Sequence, residues 1–577
     1  MLSIKLDKIF PILKDLRQYN PYKLKRDLLA GATVGIMLVP QSMAYAMIAG
    51  LPPVYGLYAA IFPQLIYALL GTSRQLAVGP VAMDSLLVFT GLSAISIASP
   101  DQYLTLALAL AFLMGSIQLL MGVVKAGFIV NFLSRPVING FTFAAALVIS
   151  IHQIKHLTGL DLQQSKYILN TLIQLVQSFD SINWTSMTIG SSGIAVIFIL
   201  KKWNKLIPGA LIVMSLSILV VYQFDLAVTG VKVIGDIPQG LPNFTLPLFS
   251  TDHLWQLLPV AGTLAVIGFM EAFSVAKAIE TKHKHEYKLD ANRELIALGA
   301  GNIFGSFMSS FPTSGGFSRS AVNESSGART GIASFLSAGL VIIVVLFLTP
   351  IFYHLPQAVL AAIIMVAVLG LIDIKRALHL WHTDRTDFYM LISTFLGTLL
   401  IGIMEGIVIG VSLSLLVMIY RTTRPHMAVL GRIPGTEFFK NINRFEEAEE
   451  IENTLIVRFD SRLYFANANY FKESIEQLMN EKENLKLLII DAQSISNVDS
   501  SGMTMLRELL ELCTLNKIEL AFISVIGPVR DIFVKEGFAK ILGKDHCFER
   551  IDPALSAFLH PNQKPNPSGI KFQSNEN

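Results

Sequence analysis

The 577-residue chain has little charge: Lys, Arg, Asp and Glu make up 15% of it, against about 25% in soluble domains. The net charge is only +3, too small a basic excess for the phosphate-neutralising surface of a nucleic-acid binder. Cysteine is nearly absent. Cys513 and Cys547 are the two, without metal-ligand spacing, and read as reduced cytosolic thiols rather than a disulfide framework. No phosphate-binding glycine loop and no cluster of metal ligands stands out, so kinase and nuclease readings find no support. No metal or cofactor is expected, and no catalytic residue. No cleavable leader is visible either: residues 1–26 are polar and rich in Lys and Arg, and the apolar segment after them is long enough to stay as a span. Apolar residues abound, at 53% of the chain, with 36 Phe and 19 Met.

These apolar residues are gathered before residue 425 into segments of the length a bilayer core of roughly 30 Å requires. The expected spans are 28–48, 54–70, 79–97, 103–125, 136–155, 184–201, 207–224, 256–278, 290–309, 315–327, 331–350, 355–373, 386–403 and 405–422. Segment 166–178 is amphipathic and is expected to lie at the interface. Basic residues fit this count of fourteen under the positive-inside rule. Lys23, Lys25 and Arg26 precede span one. Lys201, Lys202 and Lys205 follow span six, and Lys282, Lys284 and Lys288 follow span eight. Lys375 and Arg376 follow span twelve, and Arg421 and Arg424 follow span fourteen. The loop 225–252 between them carries only Lys232. Both termini are therefore expected in the cytoplasm.

Two spans are weak. Span three opens on Gly79-Pro80, and span ten follows Pro312 and contains Gly315-Gly316. They hold equivalent places in a seven-plus-seven arrangement, and paired interrupted segments point to a binding site between inverted repeats. Span ten also carries Arg319, in Ser314-Gly-Gly-Phe-Ser-Arg-Ser320. An arginine at bilayer depth costs roughly 2.5 to 3.5 kcal/mol on insertion scales and needs a partner or a wet cavity. Glycine-opened helix N-termini with a cation beside them suit an anion, so anion transport is the expected function. The plainer alternative is that Gly and Pro merely kink ordinary helices.

Three acids lie within spans. Glu271 is deep in span eight, flanked by Phe269, Met270 and Phe273; Asp84 is one turn into span three; Glu405 opens span fourteen. Each is a candidate proton carrier or a structural hydrogen-bonding group. His152 and His156, near a span end, read as interfacial.

Asp27-Leu-Leu-Ala-Gly-Ala-Thr-Val-Gly, Pro40-Gln-Ser-Met-Ala-Tyr-Ala and Gly50-Leu-Pro-Pro-Val-Tyr-Gly-Leu-Tyr58 resemble the opening of the SulP (sulfate permease) anion transporters, bacterial type. Gly71-Thr-Ser-Arg, Gly79-Pro80, Gly235-Asp-Ile-Pro238 and Phe311 through Thr330 continue the likeness, which runs from about residue 20 to 560. The resemblance implies a polytopic α-helical membrane protein, a 7+7 inverted repeat with core and gate domains, and alternating access. It places the anion between the half-helix N-termini of spans three and ten, lined by Gln41, Tyr45, Val81, Ser318 and Arg319. Tyr45 has a core aromatic as its alternative, and Arg319 reads as a source of positive potential as much as a ligand. Glu271 matches the family's coupling position. With Val275 rather than a hydroxyl residue four positions on, a proton is favoured over Na⁺. Asp84 is unusual for the family: beside an anion it must be protonated or paired with Arg319. The substrate stays open among sulfate, bicarbonate and dicarboxylates. An uncoupled channel, a sodium-coupled symporter and a membrane-tethered sensor are the alternative functions. The resemblance also implies a multi-pass protein of the inner (cell) membrane that forms a homodimer. Gly406-Ile-Val-Ile-Gly410 is a small-residue stripe that suits close helix packing.

The end of the chain reads differently. Residues 425–452, with the acidic run Glu446-Glu-Ala-Glu-Glu450, read as a solvated linker. Residues 453–560 alternate strand and helix: strands at 454–459, 485–490 and 518–525, helices at 467–479, 502–512 and 529–536. That pattern implies a cytosolic α/β domain. Leu463-Tyr-Phe-Ala-Asn-Ala468 and Asp499-Ser-Ser-Gly502 resemble the STAS module, for which a cytosolic protein partner and phosphorylation of Ser500 are possible. The other reading of Asp499 and Ser500 is a helix N-cap. Residues 561–577, rich in Pro, Asn and Ser, read as a disordered tail.

Overall fold

The computed structural model describes residues 10–559 apart from 18, 96–98, 132–133, 163–167, 204–207, 248–250 and 284–285. The end of expected span three, the start of segment 166–178, Lys205, Lys284 and the tail 561–577 thus lie outside the described residues. The chain divides into two compact units, Met1–Ser414 and Leu415–Asn577.

The first unit is helical. It opens with α1 (Ile12–Arg17) and α2 (Pro21–Ile48). Asn20 starts α2 by accepting the Lys23 N–H at 2.9 Å, with Pro21 in the first turn, where its missing N–H costs nothing. Next come α3 (Pro53–Ala59), α4 (Phe62–Leu70), β1 (Val78–Gly79) and α5 (Ala82–Ser93). The first half ends with α6 (Pro100–Val123), α7 (Arg135–Thr158), α8 (Ile168–Gln177), α9 (Trp184–Trp203) and α10 (Gly209–Gln223). The second half opens with α11 (Thr251–Lys282), α12 (Ala291–Phe307), β2 (Ser314–Gly315) and α13 (Phe317–Ser325). It closes with α14 (Ile332–Ile343), α15 (Gln357–Leu369), α16 (Ile374–Thr383), α17 (Arg385–Leu400) and the first part of α18 (Ile403–Thr423), within which the division at Ser414 falls.

Every expected span falls on a helix. Among the described residues nine helices are long and apolar enough to cross a membrane. Of the remaining spans, α5 and α13 are half-helices, each entered through a two-residue strand. The strands pair antiparallel, Val78 opposite Gly315 and Gly79 opposite Ser314, as two inverted repeats require. Packing sorts the helices into a core and a gate. α6 lies along α12, α2 along α14, and α4 and α11 join them; α7 packs on α15 and α17, and α9 on α15.

Close approach is built into the motifs. A Cβ on Gly56 of α3 would lie 1.9 Å from the Ser42 carbonyl oxygen of α2. Backbone atoms cannot give way as a side-chain end can, so Gly56→Ala is expected to cost at least the 1–3 kcal/mol typical of overpacking. Gly262→Ala, with nothing within 4 Å, is the matched control. Thermal unfolding of the two purified variants checks this, and equal melting temperatures would contradict it.

The second unit is an α/β domain. Its elements are β3 (Met427–Arg432), β4 (Phe439–Asn441), β5 (Thr454–Phe459), α19 (Ala468–Asn480), β6 (Leu487–Asp491), α20 (Ser500–Leu515), β7 (Glu519–Ile523), α21 (Gly527–Lys535), α22 (Phe538–Leu542), β8 (Cys547–Phe548) and α23 (Ile551–Leu559). The sheet order is β4-β3-β5-β6-β7-β8. β5 through β8 run parallel, and β3 is antiparallel to β4 and β5. β6 is Leu-Leu-Ile-Ile-Asp, buried throughout, as a central parallel strand must be. Two of the six strands lie in 425–452, where a linker was expected. The charges there hid the short apolar run Met427–Leu430, whose alternate residues Ala428 and Leu430 are buried. The acidic residues 446, 447, 449 and 450 are exposed. Asp499 caps α20, accepting the Gly502 N–H at 2.8 Å, and also accepts the Phe465 N–H at 2.9 Å; Ser500 is exposed. Burial pushes the Cys513 and Cys547 thiols up to about 12.

Candidate functional site

The site forms where β1 and β2 cross. α5 begins after Val81 and α13 after Gly316, so two helix N-termini, each a region of partial positive charge, start from one crossing. The strands are held by side chains on both flanks. Ala77 accepts the Gly316 N–H at 3.0 Å and donates its own to Ser320 Oγ at 2.9 Å. Asn323 Nδ2 donates to the Gln75 carbonyl at 2.9 Å, and Tyr287 donates its hydroxyl to Gln75 Oε1 at 2.8 Å. Ahead of β2, Asn302 Oδ1 accepts from Thr313 N and Oγ1, at 2.8 and 3.1 Å, while its Nδ2 donates to the Thr313 carbonyl at 3.0 Å. Gln118 links Asn302 to the Ala265 carbonyl of α11. Ser314 Oγ donates to the Gly268 carbonyl at 2.6 Å. Gly315 brings β2 onto α11: a Cβ there would be 3.0 Å from Ala272 Cα.

Arg319 lies at the crossing and is 2% exposed. Its Nη1 donates to the Pro80 carbonyl at 2.7 Å, while Nε and Nη2 have no protein partner. The guanidinium folds back over Gly316, where a Cβ would stand 2.8 Å from Cζ. Gly316→Ala is therefore expected to displace it and raise the KM for the transported anion several-fold, with KM from uptake kinetics as the check.

The other expected residues fall around it. Gln41 and Tyr45, both 8% exposed, share a face of α2 one turn apart, and Tyr45 is within electrostatic reach of Arg319 and Glu271. Val81 is the buried N-cap residue of α5. Ser318 and Phe317 are exposed, so the α13 N-terminus opens to one side. Asp84 is fully buried, and both its oxygens lack partners. It is not bonded to Arg319. Instead its Oδ2 lies beside Gly268, where a Cβ would be 3.4 Å away, and its carboxyl feels the charge of Glu271. Glu271 is half-buried, with Oε2 unpartnered, and feels the charge of Arg319.

Other candidates lie elsewhere. His152 and His156 line a separate pocket, and Glu405 folds over Gly402. Gly406 and Gly410 face Thr398 and Thr394 of this same chain, so that stripe packs inside the bundle.

Two buried acids were missed by the sequence reading. Glu294 accepts from Tyr67 Oη (2.5 Å), Thr72 N (2.7 Å), Thr72 Oγ1 (2.6 Å) and Ser73 N (3.2 Å), fixing the turn that leads to β1. Asp27 accepts from Arg329 N (2.6 Å) and from Thr330 N and Oγ1 (3.1 and 2.5 Å), tying α2 to the chain after α13. With Gln118 and Asn302 they hold the site rather than line it. Their signal was polarity inside or at the edge of apolar spans.

The comparisons with known proteins agree with this architecture. Residues 24–394 match the sulfate permease family, and residues 446–554 the STAS domain. The chain is 37% identical to "Sulfate transporter 4.1, chloroplastic" of Arabidopsis thaliana, over 97% of this chain and 84% of that protein. It is 33% identical to "High affinity sulfate transporter 2" of Stylosanthes hamata, over 96% and 87%. These relatives are plant proteins, and nothing in them carries the expected bacterial type. Among solved structures, the murine Solute Carrier 26 family member A9 anion transporter, in an inward-facing state, matches with a TM-score of 0.88 at 26% identity, over 96% of this chain and 94% of that one. The transmembrane domain of a cyanobacterial bicarbonate transporter shares the fold, with a TM-score of 0.59 at 21% identity over 69% of this chain. Two paired half-helices, a core and a gate, and a C-terminal α/β module thus come together in a multi-pass anion transporter, and the chain belongs to the sulfate permease family.

Proposed function

We propose that the protein is a secondary active transporter that moves a small oxyanion, sulfate first among the candidates, together with a proton by alternating access. One observation carries the reading: a buried guanidinium, with N–H donors that no described protein group accepts, stands at two helix N-termini, within electrostatic reach of the half-buried Glu271, which in turn reaches the buried Asp84. The anion accepts hydrogen bonds from Arg319 and from the N–H groups opened after Val81 and Gly316. Gln41 donates from α2, Ser318 from α13, and the Tyr45 ring covers the site. Charge counting supplies the coupling. Arg319 with both Asp84 and Glu271 ionised totals −1, which repels an anion, whereas one proton on the carboxyl pair brings the site to neutrality. Like charges brought together in an apolar site favour a proton on one of them. Sulfate is favoured by the plant relatives, which are named as sulfate transporters. Sodium in place of the proton, and bicarbonate or a dicarboxylate as substrate, are outcomes of the test.

The proposed setting is the cell membrane with both termini cytoplasmic. Two copies are proposed to pair through the last span and the C-terminal module rather than through the Gly406–Gly410 stripe. Ser500, exposed at the α20 N-terminus, is the proposed phosphorylation position, since negative charge is favourable there.

Uptake of labelled sulfate into proteoliposomes, with substrate competition and counterflow, tests the reading. Counterflow of label identifies a carrier, conductance without counterflow a channel, and neither a sensor. Because β3 and β4 belong to the sheet, the module should be removed after residue 424, not within it. That truncation is expected to lower rate or expression and to keep the order of substrate preference, since every proposed anion-site residue precedes it. A reordered preference would contradict this.

A further inference from the structure

A pocket partly open to solvent lies at the C-terminal ends of α2 and α5, away from the β1–β2 crossing. One wall is apolar, with Met47 from α2 and Leu86 and Phe89 from α5. The facing wall is a polar stripe of α7: His152, Gln153, Lys155 and His156. Spacings of three and four residues put His152, Lys155 and His156 on one helix face. Two polar atoms of this wall are sealed without a partner, His152 Nε2 and Gln153 Oε1, and Gln153 is only 5% exposed. Buried polar groups are seldom left unpaired. A glutamine amide presents its oxygen or its nitrogen after a simple flip, so Gln153 offers a donor as readily as an acceptor.

The rings are fixed in place. His152 meets the Phe89 ring edge-on, with centroids 6.5 Å apart, and His156 Nδ1 is 3.3 Å from Gln357 Oε1. Among the described residues the other charged groups in reach are Lys232 and Asp161, which pair with each other. That pair is neutral, so among the described residues Lys155 leaves the pocket with one net positive charge beside hydrogen-bonding groups and apolar side chains. This is the chemistry of a site for one small anion.

We propose that this pocket binds a second small oxyanion, held by Lys155, His152, His156 and Gln153, one to two helical turns along α2 and α5 from the Arg319 site. On the topology that the basic residues predict, it lies at the outer mouth between core and gate, and it is a station where the anion rests before reaching Arg319. The proposal rests on the reading that the protein carries anions.

Leu162, half-buried at the pocket and outside the polar stripe, is the place for a probe. The natural thiols are silent in the folded protein because Cys513 and Cys547 are 0% and 1% exposed. Leu162→Cys in the full chain, in phosphatidylcholine liposomes, should react with a sulfonate methanethiosulfonate about tenfold faster than with a trimethylammonium one, as a focused positive potential requires. Sodium sulfate should slow that reaction, and choline chloride at equal ionic strength should not. Adding Lys155→Gln should abolish both the charge preference and the protection, while Lys155→Arg should keep them, which separates lost binding from lost folding. Protection that persists with Arg319→Ala marks a separate site; protection lost with Arg319→Ala overturns it. Absent preference, or protection unchanged by Lys155→Gln, also overturns it. Protection by phosphatidylglycerol without sulfate would assign the pocket to a lipid headgroup and overturn the soluble-ion assignment. Sulfate protection in a protein that fails to transport sulfate would uphold the pocket and remove the transport reading instead.

Discussion

Arg319→Ala is expected to raise the KM for sulfate by about 10- to 150-fold while leaving the protein folded. The range follows from hydrogen bonds to a charged group, worth about 1.5–3 kcal/mol. Folding should survive because, among the described residues, the guanidinium makes one hydrogen bond, to the Pro80 carbonyl, and Nε and Nη2 have no partner. Burying a charge costs several kcal/mol, and among the described residues no carboxylate hydrogen-bonds the guanidinium, so its removal should leave the melting temperature in the absence of substrate little changed. Sulfate should then stabilise the wild type against heat and have little effect on the variant. A structural arginine predicts the opposite pattern, with lower melting and an unchanged KM in whatever protein folds. Arg319→Lys separates charge from geometry. A lysine keeps the potential but loses the planar fork, so intermediate affinity is expected. Wild-type uptake kinetics in a well-folded Arg319→Ala protein would remove the residue from the site.

How far the sequence reveals this site depends on the distance over which its parts meet. The half-helices were legible because their cause is local: Gly79-Pro80 and Gly315-Gly316 break a span wherever they occur. The antiparallel register of Val78 with Gly315 was implied only by symmetry. That Asp84 lies within electrostatic reach of Glu271 was not legible from the spacing. Nearly two hundred residues separate them, and each alone reads as an isolated acid. Whether Asp84 pairs with Arg319 was left open by the sequence, and the geometry answers it: the guanidinium turns to Pro80 and the acid to Gly268. Gln118 and Asn302 escaped notice for a different reason. Uncharged polar residues in apolar spans raise no alarm until their hydrogen bonds are seen. In the second unit, period and composition placed the central strands, while β3 and β4, edge elements among charges, read as linker.

Glu271→Gln is expected to abolish accumulation driven by a pH gradient while sparing anion exchange. Of the two carboxyls, Asp84 is fully buried and Glu271 only partly, so Glu271 is the one a proton can reach. Phe269 and Met270 before it and Ala272 after it are buried, leaving the carboxyl little water to stabilise its charge. The amide reproduces the protonated form in shape and charge. With Arg319 and one remaining acid the site is neutral whenever it holds no anion, so binding and exchange continue, but no proton is released with the substrate. At zero membrane potential, each proton carried across one pH unit supplies about 1.4 kcal/mol, a tenfold concentration ratio. The wild type should approach that ratio in proteoliposomes, and Glu271→Gln should stop at equality while counterflow of label persists. Uptake by the wild type should rise as external pH falls, because protonation removes the charge that repels the anion, and replacing sodium with choline should not change it. If choline abolishes uptake the coupling ion is sodium, and if Glu271→Gln still concentrates sulfate on a proton gradient, the proton travels by another group.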